Sequence, residues 1–157
     1  MVTYEVYFAI TDLFARCANA LDDERLDDWL DCFGEDGSYY IRSRENWLRN
    51  LPLTLLQLDN KDMMHDRVVS LREANVTNIH RDQRVNSLPQ ITAGEAGTWN
   101  VVSGYAMYTT NAEGRSTLFS VGSYVDRVRV ADGKARFIER TVIVDTFAIS
   151  NMLSTPI

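Results

Sequence analysis

Positive charge is scarce in this chain and nowhere clustered: 16 lysines and arginines stand against 22 aspartates and glutamates, for a formal net charge of −6 at pH 7. An acidic surface without a basic patch repels phosphate backbones and anionic lipid, which argues against nucleic-acid and membrane partners. Long apolar runs are missing too, and nothing approaches the ~20 residues that a membrane span requires. The opening residues, MVTYEVYFAITDLF, have no basic leader and carry Glu5 and Asp12 inside their apolar stretch, so they do not read as a signal peptide. A cytoplasmic location is expected. Cysteine is nearly absent: Cys17 and Cys32 are the only two, both in predicted helices, and they read as small buried hydrophobes rather than a disulfide.

What remains is an ordinary globular chain of 157 residues, long enough for a core of its own and read as a single domain over residues 1–157. From Thr3 to Leu21, apolar residues recur at Val6, Ile10, Leu13, Phe14, Cys17 and Leu21, the spacing of a helix with one buried face, and Thr3 is a fitting N-cap. A second helix is expected over 25–32, presenting Leu26, Trp29, Leu30 and Phe33, with Gly34 as its stop. Asp36-Gly37 turns into a strand over 38–42. Asn50-Leu51-Pro52 breaks any helix, so residues 43–60 read as loop with a strand near 53–58. Asp62 is expected to cap a helix running to Ala74, followed by a strand within 75–84. The last third holds three β-rich runs, 98–110, 115–130 and 134–149, joined by Asn111-Ala112-Glu113-Gly114 and Ala131-Asp132-Gly133, which predicts an antiparallel meander. Helices first and sheet last gives the α+β class. Leu118, Phe119, Val121, Tyr124, Val125, Val128 and Val130 put apolar groups on both faces of one late strand, which suggests that another chain covers part of the second face.

Metal and cofactor motifs are missing. A Rieske cluster needs paired cysteine and histidine ligands at close spacing, and neither Cys17 nor Cys32 has a histidine nearby. A two-histidine, one-carboxylate iron site would consume both His65 and His80, one on a predicted helix and the other at a strand start. No metal site is expected here, and no phosphate-cradling loop or nucleophile elbow occurs.

Several stretches nevertheless carry a family likeness. Asp66, Arg67, Leu71, Arg72 and Glu73 form a D-R-x-x-x-L-R-E run that leads to His80-Arg81, and the chain finishes on Thr155-Pro156-Ile157. With Trp29, Phe33, Asp36, Gly37 and Tyr39, this resembles the small (β) subunit of aromatic-ring-hydroxylating oxygenases, within the cone-shaped nuclear transport factor 2-like superfamily. The resemblance implies N-terminal helices packed in a curved, mainly antiparallel sheet. It also implies a non-catalytic subunit that assembles with a large (α) oxygenase subunit, typically as a three-plus-three hexamer that includes other copies of itself. The Rieske 2Fe-2S cluster and mononuclear iron would belong to that large subunit, and a reductase or ferredoxin would be met only indirectly. The L-R-E-A-N run is most similar to small subunits of enzymes acting on aromatic carboxylates of the terephthalate, salicylate or benzoate type.

Arg67, Arg72, His80 and Arg81, together with the apolar tail residues Phe147, Ile149, Leu153, Pro156 and Ile157, are read as subunit-interface residues. The competing expectation comes from lyases and isomerases of the same superfamily, where Asp31 would act as base and His80 or a tyrosine, Tyr39 or Tyr40, would polarise a carbonyl. A third reading is a homo-oligomeric module that binds a small molecule in a pocket without convergent titratable groups.

Overall fold

Thr3 Oγ1 accepts a hydrogen bond from the Val6 amide at 3.3 Å and starts α1, Tyr4–Asp22, which buries Ile10, Leu13, Phe14, Cys17 and Leu21 as its spacing predicts. The computed structural model describes residues 1–74, 79–146 and 156–157. Glu24, at φ 57°, reverses the chain, with the Arg25 amide donating to Ala20 O at 2.7 Å. The short α2, Leu26–Asp31, follows and buries Trp29 completely. Gly34 does not stop this helix: Cys32 is its C-cap, and Gly34 already lies in β1, Phe33–Ser43. Residues 33–38 leave the ladder irregular, so the expected turn at Asp36-Gly37 is a break in register within one strand.

The region that lacked a clean period contains α3, Arg44–Leu48, and only a short strand, β2, Leu56–Leu58. Ser43 Oγ caps α3 by accepting from the Asn46 amide at 3.2 Å. Next comes α4, Lys61–Ala74, whose cap is Asn60 rather than Asp62, because Asn60 Oδ1 accepts from the Met63 amide at 2.9 Å. It buries Met64, Val68 and Leu71, while Met63 stays exposed.

The remaining strands are β3, His80–Asn86; β4, Gln90–Ala93, which periodicity did not reveal; β5, Thr98–Asn111; β6, Ser116–Ala131; and β7, Lys134–Val144. The sheet order is β2-β1-β7-β6-β5-β3, with β4 also on β5. Among the described residues, only β1 and β7 run parallel. The meander of β5, β6 and β7 is the centre of the sheet, and α1 lies across it.

Burial in β6 alternates more cleanly than its sequence suggests: Ser120, Gly122, Tyr124, Asp126 and Val128 face the helices and are buried, while Val121 and Leu118 are exposed on the other face. Two register breaks, one in the β5–β6 ladder and one in β6–β7, blur the pattern in the sequence. Gly122 is required where it stands, since a Cβ there would lie 2.0 Å from Ile143 O. On the outward face, Val85, Ala106 and Val121 form one cross-strand row and Val102 and Val125 another. Beside them, α3 packs on β1 and β7, and Arg44 ties it down by donating to Ser123 Oγ at 3.0 Å and Asp145 Oδ1 at 2.6 Å. Among the described residues, no helix is long and apolar enough to cross a membrane.

Candidate functional site

Inside the cone, where α1 crosses the sheet, the sequence places charge instead of a void. Arg140 on β7 donates through Nε and Nη2 to the two carboxylate oxygens of Asp126 on β6, at 3.1 and 2.9 Å, and both side chains are essentially inaccessible to water. The guanidinium carbon sits 3.9 Å from the Tyr124 ring centroid, 4.1 Å from Phe137 and 4.7 Å from Phe14, so three aromatic faces take up the charge that water would otherwise solvate. Burial pushes the Asp126 carboxyl up to about 6 against the pull of Arg140, which leaves it ionised at neutral pH. Cys17 lies 3.6 Å from Arg140 Nη1, and its neighbours Cys32 and Arg140 draw its thiol down to about 7 despite burial. Both thiols are buried and free.

A second buried pair closes the α1 end of the cone. Asp22, the last residue of α1, accepts from Arg84 Nη1, from the Arg84 amide at 3.0 Å and from Gln83 Nε2 at 3.3 Å. Arg84 Nη2 then donates to Pro156 O at 2.6 Å. Next to it, Tyr39 Oη accepts from the Ile157 amide at 2.8 Å and donates to Ile157 O at 3.0 Å. Pro156 and Ile157, expected at a subunit interface, are therefore taken up by this chain's own core, where Ile157 is 1% exposed. The other tail residues read as interface, Phe147, Ile149 and Leu153, lie outside the described residues.

The interior also holds three aromatic hydroxyls away from water. Tyr105 stacks on Tyr124 with centroids 4.7 Å apart and shares a hydrogen bond of 2.9 Å with Ser120. Burial pushes Tyr105 up to about 12 and holds Tyr39 and Tyr124 above the ordinary phenol range. A phenol whose pKa is higher folded than unfolded contributes stability that is complete below about pH 10 and is lost as pH rises toward its folded value. Alkaline titration is expected to ionise Tyr39, Tyr105 and Tyr124 only as the protein unfolds. Phenolate absorbance and far-ultraviolet circular dichroism recorded on the same samples check this; a full phenolate signal from folded protein would refute it.

Outside the cone, the acidic turn between α1 and α2 gathers arginines. Arg72 donates to Asp27 at 2.6 Å, Arg81 lies 3.4 Å from Asp23, and Arg25 pairs with Asp28. His80 Nε2 is 3.6 Å from Asp82, whose other oxygen accepts from Thr109 at 2.8 Å. Exposed pairs of this kind contribute about 0–1 kcal/mol each, so their value lies in shaping a surface. Arg67 is half-buried on α4.

The acid–base candidates do not meet. Asp31 is exposed at the end of α2, Tyr40 points outward from β1 and donates to Asp59 at 3.1 Å, and His80 opens β3 at the opposite side of the sheet, with β7, β6 and β5 between. A shared catalytic pocket for these three is excluded by their positions. The cleft of about 290 Å³ between α3 and the end of β7 is lined by Ser43, Arg44, Glu45, Leu55 and Asp145, and its charged groups are already paired, Arg44 with Asp145 and Glu45 with Arg49. Among the described residues, no three histidine, cysteine or carboxylate side chains gather to hold a metal, so the donor set does not fit an iron or iron–sulfur site.

The family model for the ring-hydroxylating β subunit matches residues 16–151. The chain belongs to that family. The small subunit of anthranilate 1,2-dioxygenase from Burkholderia cepacia is 36% identical over 154 residues, covering 98% of this chain and 95% of that one. A β subunit of the terephthalate 1,2-dioxygenase terminal oxygenase from Comamonas sp. is 27% identical over 143 residues, 91% of this chain and 93% of its own. Among solved structures, a β subunit assigned to an aromatic-ring-hydroxylating dioxygenase of Novosphingobium aromaticivorans superposes with a TM-score of 0.86 at 34% identity, covering 96% of both chains. The ring-hydroxylating β subunit described here thus has the nuclear transport factor 2-like fold and the small-subunit role, as part of a dioxygenase complex. The buried Asp126–Arg140 and Asp22–Arg84 pairs are functional-site features that the sequence reading did not pick out.

Proposed function

We propose that this β subunit supports the assembly of a large oxygenase subunit that carries the Rieske cluster and the mononuclear iron, in a three-plus-three complex that acts on an aromatic carboxylate. The observation that carries this reading is the pairing inside the cone: Arg140 is bound to Asp126 and Arg84 to Asp22 and Pro156, while the acid–base candidates do not meet there, so the surface offered to a partner subunit lies on the outside. The outward rows of Val85, Ala106, Val121, Val102 and Val125 supply an apolar face for a neighbouring subunit, and Arg67, Arg72, His80 and Arg81 a polar border around α4 and the start of β3. The whole of residues 1–157 acts as one domain in this role, and a reductase or ferredoxin passes electrons to the large subunit without touching it. The relatives' names, anthranilate and terephthalate dioxygenases, support the carboxylate-bearing substrate.

Co-expression with the large subunit, purification through a tag on this chain alone, and measurement of mass and iron test the proposal. An iron-bearing hetero-oligomer is expected, against an iron-free product when this chain is expressed alone. Val121→Asp would bury a charge in the proposed contact and is expected to lower recovery of the large subunit by about tenfold or more, each factor of ten being about 1.4 kcal/mol. Recovery of the tagged chain without a partner in both cases would remove the assembly role.

A further inference from the structure

Beyond the assembly role, and independent of it, we infer that the position held by Pro156 and Ile157 is a ligand site that the chain fills with its own residues. Its natural class of occupant is a short apolar body bearing a peptide or carboxylate group with acceptor oxygens.

The two residues are recognised through main-chain atoms. Tyr39 Oη engages both the amide and the oxygen of Ile157, at 2.8 and 3.0 Å, and Arg84 Nη2 engages Pro156 O at 2.6 Å. Any molecule that presents acceptor oxygens at the same places meets the same donors.

Those donors are also held by contacts other than the occupant. Arg84 is held by Asp22 through its side chain and its backbone amide. Tyr39 is fixed edge-on against Trp29 at 5.5 Å and Phe33 at 6.3 Å. Both are buried, with Arg84 at 5% exposure and Tyr39 at 0%. Among the described residues, Arg84 Nε is buried with no hydrogen-bond partner, so this guanidinium retains an unused donor. Preorganised donors with an apolar surround are what a small-molecule site consists of, and an occupant that brings its own acceptors costs them no reorganisation.

The test compares the full chain with one lacking Pro156 and Ile157, using N-acetyl-Pro-Ile and benzoate as probes and thermal melting as the readout. The shortened chain is expected to melt lower and to be raised by about 3–6 °C with a probe at ten times its dissociation constant. The full chain, its site already occupied, is expected not to shift. Response to the dipeptide alone assigns a peptide-like ligand; response to both assigns the carboxylate. Tyr39→Phe in the shortened chain is expected to weaken the response at least tenfold while the fold is retained. If the shortened chain does not fold, it is refolded from urea with and without N-acetyl-Pro-Ile, and recovery only with the dipeptide supports the site. No shift with either probe, an equal shift in the full chain, or refolding indifferent to the dipeptide overturns it.

Discussion

Arg140→Met is expected to destabilise the fold by about 3–5 kcal/mol, the range for removing one member of a buried ion pair. The loss comes chiefly from what stays behind. Asp126 would remain inaccessible on β6 with both Arg140 hydrogen bonds gone, and the faces of Phe14, Tyr124 and Phe137 would lose the cation between them. If the pair were simply worth its attraction, adding Asp126→Leu to Arg140→Met would change nothing further. Desolvation predicts otherwise: the double variant is expected to regain most of the lost stability, because an apolar pair of similar volume carries no solvation penalty. Urea midpoints of wild type, both single variants and the double variant give the coupling energy directly. Additive losses would mean that the two side chains act separately.

Asp22→Ala is expected to cost a comparable amount, about 3–5 kcal/mol, by leaving the Arg84 guanidinium buried without its counter-ion. Asp22 stands at the C-terminal end of α1, where the helix dipole disfavours a negative charge by about 0.3–1 kcal/mol. An aspartate is tolerated there because Arg84 overrides the dipole. Asp22→Asn removes the unfavourable dipole term and retains one acceptor, so it is expected to lose distinctly less than Asp22→Ala. The order wild type, Asn, Ala in urea midpoint is the result to look for; equal losses for Asn and Ala would show that charge alone matters.

The sequence made the long elements legible because each obeys one rule over many residues. The apolar face of α1, the β-rich runs of the meander and the Asp132-Gly133 turn needed no tertiary information. At five residues α3 is too short for periodicity to appear, and β4, at four, is defined by its partner β5 rather than by itself. The interior pairs were hidden for a different reason. Counting back from the β6–β7 turn places Asp126 opposite Glu139, a repulsive neighbour, until the register break beyond Val128 and Phe137 shifts the ladder by one residue at Ile138 and brings Arg140 alongside instead. No composition rule announces such a shift. The places of Pro156 and Ile157 were hidden because apolar residues at a terminus pack against either their own domain or a partner, and nothing local in the sequence says that Arg84 and Tyr39 hold these two.

A cone whose centre is wired with salt bridges leaves its lineage little room to change there. Replacing one charge alone strands the other, so the interior can drift only by paired steps, while the outward valines and the arginine border can vary one residue at a time. An engineer wishing to retarget this chain therefore has most freedom at its surface.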